Sequence, residues 1–129
     1  MTINEYQQLA MRTESKAYGL ISFVSVVAED DGGKFEMWAD RLIQGLMGLN
    51  GEAGECIDIL KKSLFHGHIL DKRHLAKELG DVAWYLAVSA DALGYDLETI
   101  FKMNIDKLKT RYPDGFSSER SVERATDDI

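Results

Sequence analysis

An all-α fold is predicted by three features of the 129-residue chain. Its one proline is Pro113, so the residue that most strongly breaks helices is missing from everything before it. Thr2, Asp71 and Asp96 each open a segment with a side chain able to cap a helix. The one β-branched run, within residues 19–28, has no second strand to pair with. About four main helices result, most simply a four-helix-bundle-like domain.

Each element has its own signals. Thr2 and Glu5 form a capping box, after which Tyr6, Leu9, Ala10, Thr13 and Ala17 share one face. Residues 19–28 read equally as a strand or as an extension of this helix, and Glu29–Gly33 as a loop of acids and glycines. A long helix is predicted from about Phe35 to Phe65 despite Gly45, Gly48, Gly51 and Gly54. Glycine in a helix costs about 0.5–1 kcal/mol relative to alanine. These four therefore signal close helix packing, a break, or backbone that must approach a ligand or partner helix. Asp71 caps the next helix, which ends at Gly94 and carries the seam Leu75, Leu79, Val82, Leu86 and Leu93. Asp96 caps the last, from about Leu97 to Tyr112, where Pro113 stops it. Residues 1–116 read as one domain and 117–129 as a polar tail or an arm onto a neighbouring subunit.

Composition narrows the function. Apolar residues make up 45% of the chain and charged residues 29%, the balance of a soluble globular protein with a real core. With 22 acids against 15 Lys and Arg the net charge is −7, which argues against nucleic acid or an anionic membrane as partner. The single Cys56 excludes an internal disulfide and a cysteine-rich zinc site. No secretory signal and no bilayer-length apolar run are legible, so a cytoplasmic location is expected.

The residues that carry chemistry are four carboxylates in two helical pairs. Glu52 and Glu55 lie on one helix, Glu78 and Asp81 on the next, each pair three residues apart and so on one face. The first pair sits among Leu46, Leu49, Ile57 and Leu60, the second among Leu75, Leu79, Val82 and Trp84. Four such groups facing one another could not all stay ionised and unpaired. A divalent cation resolves the conflict, and oxygen-only ligands suit Mg²⁺ or Mn²⁺. The bland alternative is solvated acids, some paired with Lys61, Lys62, Lys72 or Lys77.

The stretch Gly48-Leu-Asn-Gly-Glu52-Ala-Gly-Glu55, followed by Lys77-Glu78-Leu-Gly-Asp81-Val-Ala-Trp84-Tyr85-Leu86, resembles the E-x-x-E…E-x-x-D signature of the MazG-like nucleotide pyrophosphohydrolases. Met103-Asn104-Ile-Asp-Lys107-Leu-Lys-Thr-Arg111-Tyr112-Pro113 is similar to the family's last-helix motif, and Asn4-Glu-Tyr6-Gln with Arg12-Thr13 to the opening of its short members. Residues 18–40 and the tail after 117 have no counterpart. The resemblance implies an all-α enzyme that uses Mg²⁺, with Mn²⁺ as a substitute, to cleave nucleoside triphosphates between the α and β phosphates. It implies Glu52, Glu55, Glu78 and Asp81 as metal ligands. The resemblance does not name the base towards water, for which Glu55, and after it Glu52, is the candidate. It implies a homodimer or homotetramer, because small members build their sites between subunits.

An acidic site also needs groups that hold phosphates and base. Asn104, Lys107 and Arg111 form one stripe on the last helix, which is either solvated surface or, as the resemblance implies, a phosphate grip. Lys62, beside Lys61, either reaches the same triphosphate or is a solvated lysine. Tyr85, one turn after Asp81, and Trp38 are candidates to stack on the nucleoside, Trp38 being equally suited to a core or a subunit interface. Trp84 and Cys56 read as packing residues, and His66, His68 and His74 as turn and helix-start residues rather than metal ligands. The expected function is hydrolysis of (deoxy)nucleoside triphosphates to monophosphate and pyrophosphate, clearing non-standard or surplus nucleotides. The alternatives are a relative acting on dUTP, dCTP or phosphoribosyl-ATP, or a non-catalytic helical module that binds nucleotide or metal. A di-iron bundle is disfavoured because no Glu-x-x-His pair is present.

Overall fold

The computed structural model describes residues 1–15 and 34–122. Among these residues there are five helices and no strand: α1 (Ile3–Met11), α2 (Lys34–Phe65), α3 (Lys72–Ala92), α4 (Leu97–Arg111) and α5 (Ser118–Val122). The all-α expectation holds. Ala17, the ambiguous residues 19–28, the loop read at 29–33 and residues 123–129 lie outside the described residues. The chain divides into two compact units, Met1–Leu97 and the residues from Glu98 onward. Among the described residues, no helix is long and apolar enough to cross a membrane.

In the first unit, α1 opens with the expected capping box. The Glu5 amide donates to Thr2 Oγ1 at 3.1 Å, and the Thr2 amide donates to Glu5 Oε2 at 2.6 Å. The helix ends at Met11, earlier than a face running through Thr13 and Ala17 requires. Its last turn is closed from outside: the Thr13 hydroxyl donates to Ala10 O at 2.9 Å, and Trp84 Nε1 donates to Thr13 Oγ1 at 2.8 Å and to Ala10 O at 3.2 Å. Trp84 is thus an anchor for α1 as well as a packing residue. The face also differs from expectation, since Gln7 is buried and Leu9 is exposed. Gln7 is tolerated inside because its amide is spent: Nε2 donates to Tyr95 O at 3.0 Å and Oε1 accepts from Leu97 N at 2.8 Å.

The framework of this unit is α2 packed against α3. A Cβ placed on Gly45 would lie 2.4 Å from Ser89 Oγ and 3.2 Å from Ser89 N, and one on Gly48 would lie 2.0 Å from Tyr85 Cε1. Gly45 lies close to the backbone of α3 at Ser89, and at Gly48 the Tyr85 ring fills the space a side chain would need. The same closeness corrects the seam expected on α3. Leu79 and Leu93 are exposed, and the buried surface is made by the small residues Ala87, Val88, Ser89, Ala90 and Ala92.

Arg41 joins three segments. Its Nε and Nη2 donate to Glu14 at 2.7 and 2.8 Å, and Nη2 also donates to Asp91 Oδ2 at 2.6 Å. Paired on two sides, the guanidinium is held even more firmly protonated than usual, chiefly by the bond to Glu14. Asp71 caps α3 as expected, accepting from the amides of Arg73 and His74 at 2.9 and 3.0 Å. Those bonds hold its carboxyl below the ordinary aspartate range. Gly67 and Gly94 take φ of +73° and +76° where α2 and α3 stop, conformations that glycine adopts without strain.

In the second unit α4 runs to Arg111, followed by Pro113 as expected, and Tyr112 and Phe116 pack with ring centroids 5.5 Å apart. The segment read as a loose tail or arm is helical at Ser118–Val122. Ser117 explains this local order, because its Oγ accepts from the Arg120 amide at 3.3 Å as a helix cap does.

Two predictions follow from this packing. Gly48→Ala should lower unfolding free energy by about 1–3 kcal/mol, because Tyr85 must be displaced. Gly51→Ala, where a Cβ meets nothing within 4 Å, should raise it by about 0.5–1 kcal/mol. Urea denaturation of the two variants side by side checks the contrast. Arg41→Ala should cost about 3 kcal/mol, because it strands the nearly buried Glu14 carboxylate without a partner. Restoring neutrality with Glu14→Gln in the same chain should recover part of that loss.

Candidate metal centre

The α2–α3 register brings three of the four motif carboxylates together. One oxygen from each of Glu52, Glu78 and Asp81 lies within 4.8 Å of the others. Glu52 comes from α2, one helical turn beyond the Gly48 contact, and Glu78 and Asp81 come from one face of α3. Glu52 and Glu78 are half-buried and Asp81 is exposed. Glu55 is exposed and lies outside the trio.

The electrostatics are those of crowded like charges. The Glu52 carboxyl is raised above its ordinary range, first by desolvation and then by the negative charges of Asp81, Glu78 and Glu55. Glu55 therefore contributes to the field at the centre although it is not one of the three converging groups. Tyr6 stands at the edge: its hydroxyl donates to Gly80 O at 3.5 Å, and burial, with the Asp81 charge beside it, raises its pKa above the ordinary tyrosine value and disfavours the phenolate. His74 Nε2 lies 3.0 Å from Glu78 Oε1, which fixes one oxygen of that carboxylate.

The donor set fits a small hard cation. Three oxygens no more than 4.8 Å apart lie within about 2.8 Å of a common centre, and modest rotamer changes close that to the roughly 2.1 Å of Mg²⁺–oxygen bonds. Waters or phosphate oxygens would complete an octahedron, and the positive charge would relieve the repulsion that raises Glu52.

The other predicted site residues are placed less simply. Lys62 lies 2.5 Å from Asp58 Oδ2, and Lys61 pairs with the other oxygen of the same carboxylate. The two lysines hold Asp58 down to about 2, and Asp58 in turn raises Lys62, with a smaller contribution from Glu55. Tyr85 is half-buried, against the backbone of Gly48 and edge-on to Trp84 at 4.8 Å between centroids. Trp38 is half-buried near the start of α2. Asn104, Lys107 and Arg111 belong to the second unit, where Asn104 and Lys107 are exposed and the Arg111 guanidinium lies 6.0 Å from the Tyr112 ring centroid. His66 and His68 flank Gly67 at the helix stop, as expected.

Three residues were given no role in the site from the sequence: His74, set aside as a helix-start residue, Tyr6, read only as part of the first helix and its motif, and Asp58. His74 and Asp58 could have been found from helical spacing alone, four residues before Glu78 and three or four before Lys61 and Lys62. The position of Tyr6 beside the centre could not, because 74 residues separate it from its contact at Gly80.

The raised Glu52 carboxyl yields a signed prediction. A carboxyl raised in the folded state favours folding while it is protonated, and that contribution is lost as pH rises through its folded value. Without added metal, Glu52→Gln should therefore raise the melting temperature at pH 7 to 8. The gain should shrink as pH falls towards the ordinary glutamate range, and saturating Mg²⁺ should reverse the order by stabilising only the wild type. Differential scanning calorimetry across pH, with and without Mg²⁺, checks all three.

The comparisons with known proteins point the same way. The chain is 43% identical over 77 residues to the "Gene 37 protein" of Mycobacterium phage L5, a match covering 54% of this chain and 68% of that protein. No solved structure matches the chain. The sequence profile of the MazG nucleotide pyrophosphohydrolase domain matches residues 41–116. That span covers more than half of the chain and takes in α3 and most of α2 with all four motif carboxylates, so the chain belongs to the MazG nucleotide pyrophosphohydrolase domain family.

Proposed function

We propose that this protein hydrolyses (deoxy)nucleoside triphosphates at the α–β bond, releasing a nucleoside monophosphate and pyrophosphate, with Mg²⁺ as its natural metal and Mn²⁺ as a substitute. The observation that carries the reading is the convergence of Glu52, Glu78 and Asp81 from two helices onto one point. Residues 1–116 act as one catalytic domain, and the protein works as a homodimer or homotetramer. Its role is clearance of non-standard or surplus nucleotides.

When bound, the divalent cation neutralises phosphate charge and lowers the pKa of water. Glu52, Glu78 and Asp81 hold it, and Glu55, next on the same helix face, completes the set by a rotamer change. Glu55, or Glu52 in its place, accepts the proton of the water that attacks the α phosphorus. The bridging oxygen then leaves with pyrophosphate. Lys107 and Arg111, with Asn104, hold the β and γ phosphates as one leaving unit, and Lys62 exchanges its pairing with Asp58 for a phosphate. Tyr85 and Trp38 contact the nucleoside.

The test is a panel of NTPs and dNTPs with Mg²⁺ in ¹⁸O water, with both products analysed by mass. Label on the monophosphate is expected. Label on pyrophosphate means attack at the β phosphorus, and free phosphate means a different reaction. No turnover with any nucleotide would reduce the protein to a binding module. Glu55→Gln and Asp81→Asn should each lower kcat by about 10²–10⁴-fold at saturating Mg²⁺ while circular dichroism stays unchanged.

A further inference from the structure

His74 takes no part in the chemistry assigned to the four motif carboxylates, yet it touches their centre. It stands four residues before Glu78 on α3, and its Nε2 lies 3.0 Å from Glu78 Oε1. Positions i, i+4 and i+7 put His74, Glu78 and Asp81 on one face of the helix. Helical side chains lean towards the N-terminus, so the Glu78 carboxylate reaches back to the imidazole. The two partners are unequally exposed, 56% for the His74 side chain and 17% for that of Glu78. A pair of fully solvated side chains would be worth little. Here a group at the rim holds a carboxylate that is largely enclosed. The backbone of His74 is itself fixed, since its amide donates to Asp71 Oδ1 at 3.0 Å. The cap at Asp71 therefore sets the first turn of α3, that turn sets the imidazole, and the imidazole sets Glu78.

We propose that His74 is a positioning residue of the metal centre: it occupies one oxygen of Glu78, so that the carboxylate meets a cation through the other oxygen alone, and the centre thereby selects Mg²⁺ or Mn²⁺ over Ca²⁺. An imidazole N–H is a single directional donor that acts without needing a net charge. It orients a carboxylate without opposing the approach of a divalent cation, as a lysine in the same place would. A carboxylate left free to rotate can present both oxygens to one ion. Ca²⁺ accepts that bidentate grip among about six to eight oxygens at roughly 2.3–2.6 Å. Mg²⁺ holds to an octahedron at about 2.0–2.1 Å, which single oxygens satisfy best. Glu78 is well placed to make the choice, because it gives one of the three oxygens that lie within 4.8 Å of one another.

The inference rests on the metal part of the proposed function, and its test reads binding rather than turnover, so the two can fail separately. Isothermal titration calorimetry of the full chain, without nucleotide, gives Kd for Mg²⁺ and for Ca²⁺ in the wild type, Asp81→Asn, His74→Leu and His74→Gln. Both His74 variants keep the backbone amide that Asp71 caps, and circular dichroism reports their helix content. The wild type should bind Mg²⁺, and Asp81→Asn should lose that binding. His74→Leu removes the donor and keeps the bulk. It should weaken Mg²⁺ about 10-fold, the lower end of outer-shell effects, because the contact lies at the rim. Ca²⁺ should weaken by less, so that the preference for Mg²⁺ narrows. His74→Gln, whose amide can donate to the same oxygen, should recover most of the Mg²⁺ affinity. Should His74→Leu fold poorly, His74→Ala takes its place, since alanine favours helix and carries no donor. Wild-type Mg²⁺ affinity without the imidazole, with Asp81→Asn still defective, overturns the inference and leaves the metal centre standing. An equal loss for both ions, or a Gln variant as weak as Leu, overturns it as well, because either result reduces the imidazole to packing. A wild type that binds neither ion overturns both readings.

Discussion

The close approach of α2 to α3 is the constraint from which the rest of the first unit follows. At Gly45 and Gly48 the two helices pass with no room for a Cβ, against Ser89 and Tyr85. Antiparallel helices held at that distance and register bring later residues of α2 opposite earlier residues of α3. Glu52 therefore meets Glu78 and Asp81, and their oxygens gather within 4.8 Å. The two glycine contacts, with Ser89 and with the Tyr85 ring, thus decide where the acids converge. A wider separation would return the carboxylates to solvent as ordinary helix-surface charges.

That convergence has an energetic cost which the protein carries in its apo state. Desolvation and the three neighbouring negative charges raise the Glu52 carboxyl. The nearest cations on α2, Lys61 and Lys62, are committed to Asp58. Crowded carboxylates of this kind suit an added cation, which would relieve their mutual repulsion. The surrounding structure is correspondingly well tied. Arg41 links the segment after α1 with α2 and α3 through Glu14 and Asp91, Trp84 clasps the last turn of α1, and Gln7 reaches across to the backbone of Tyr95 and Leu97. These bonds fix α1 so that Tyr6 borders the centre beside Asp81.

Much of this was legible in the residues. The capping box at Thr2, the cap at Asp71 and the stop at Gly94 are local hydrogen-bonding and φ preferences, and each is found where the sequence places it. The i, i+3 carboxylate pairs share helix faces because helical geometry requires it. Other readings went astray where burial depends on what packs opposite. Leu79 and Leu93 satisfied the apolar period of α3 yet are exposed, because burial on α3 falls instead on Ala87, Val88, Ser89, Ala90 and Ala92 in its last turns. Leu9 and Gln7 exchanged expected roles because two backbone partners across the unit satisfy a buried amide.

The sequence by itself therefore determined the helices, most of their ends, the chemistry of the acidic motif and the family to which it points. These follow from short-range rules: capping, periodicity, and the ligand preferences of carboxylates. Only the tertiary structure decided which carboxylates meet, that Glu55 stands apart from the trio, and that Lys62 is paired with Asp58. Each of these depends on the separation and register of two helices. That quantity is set by contacts between residues some forty positions apart, such as Gly45 with Ser89, and by no local preference of either segment.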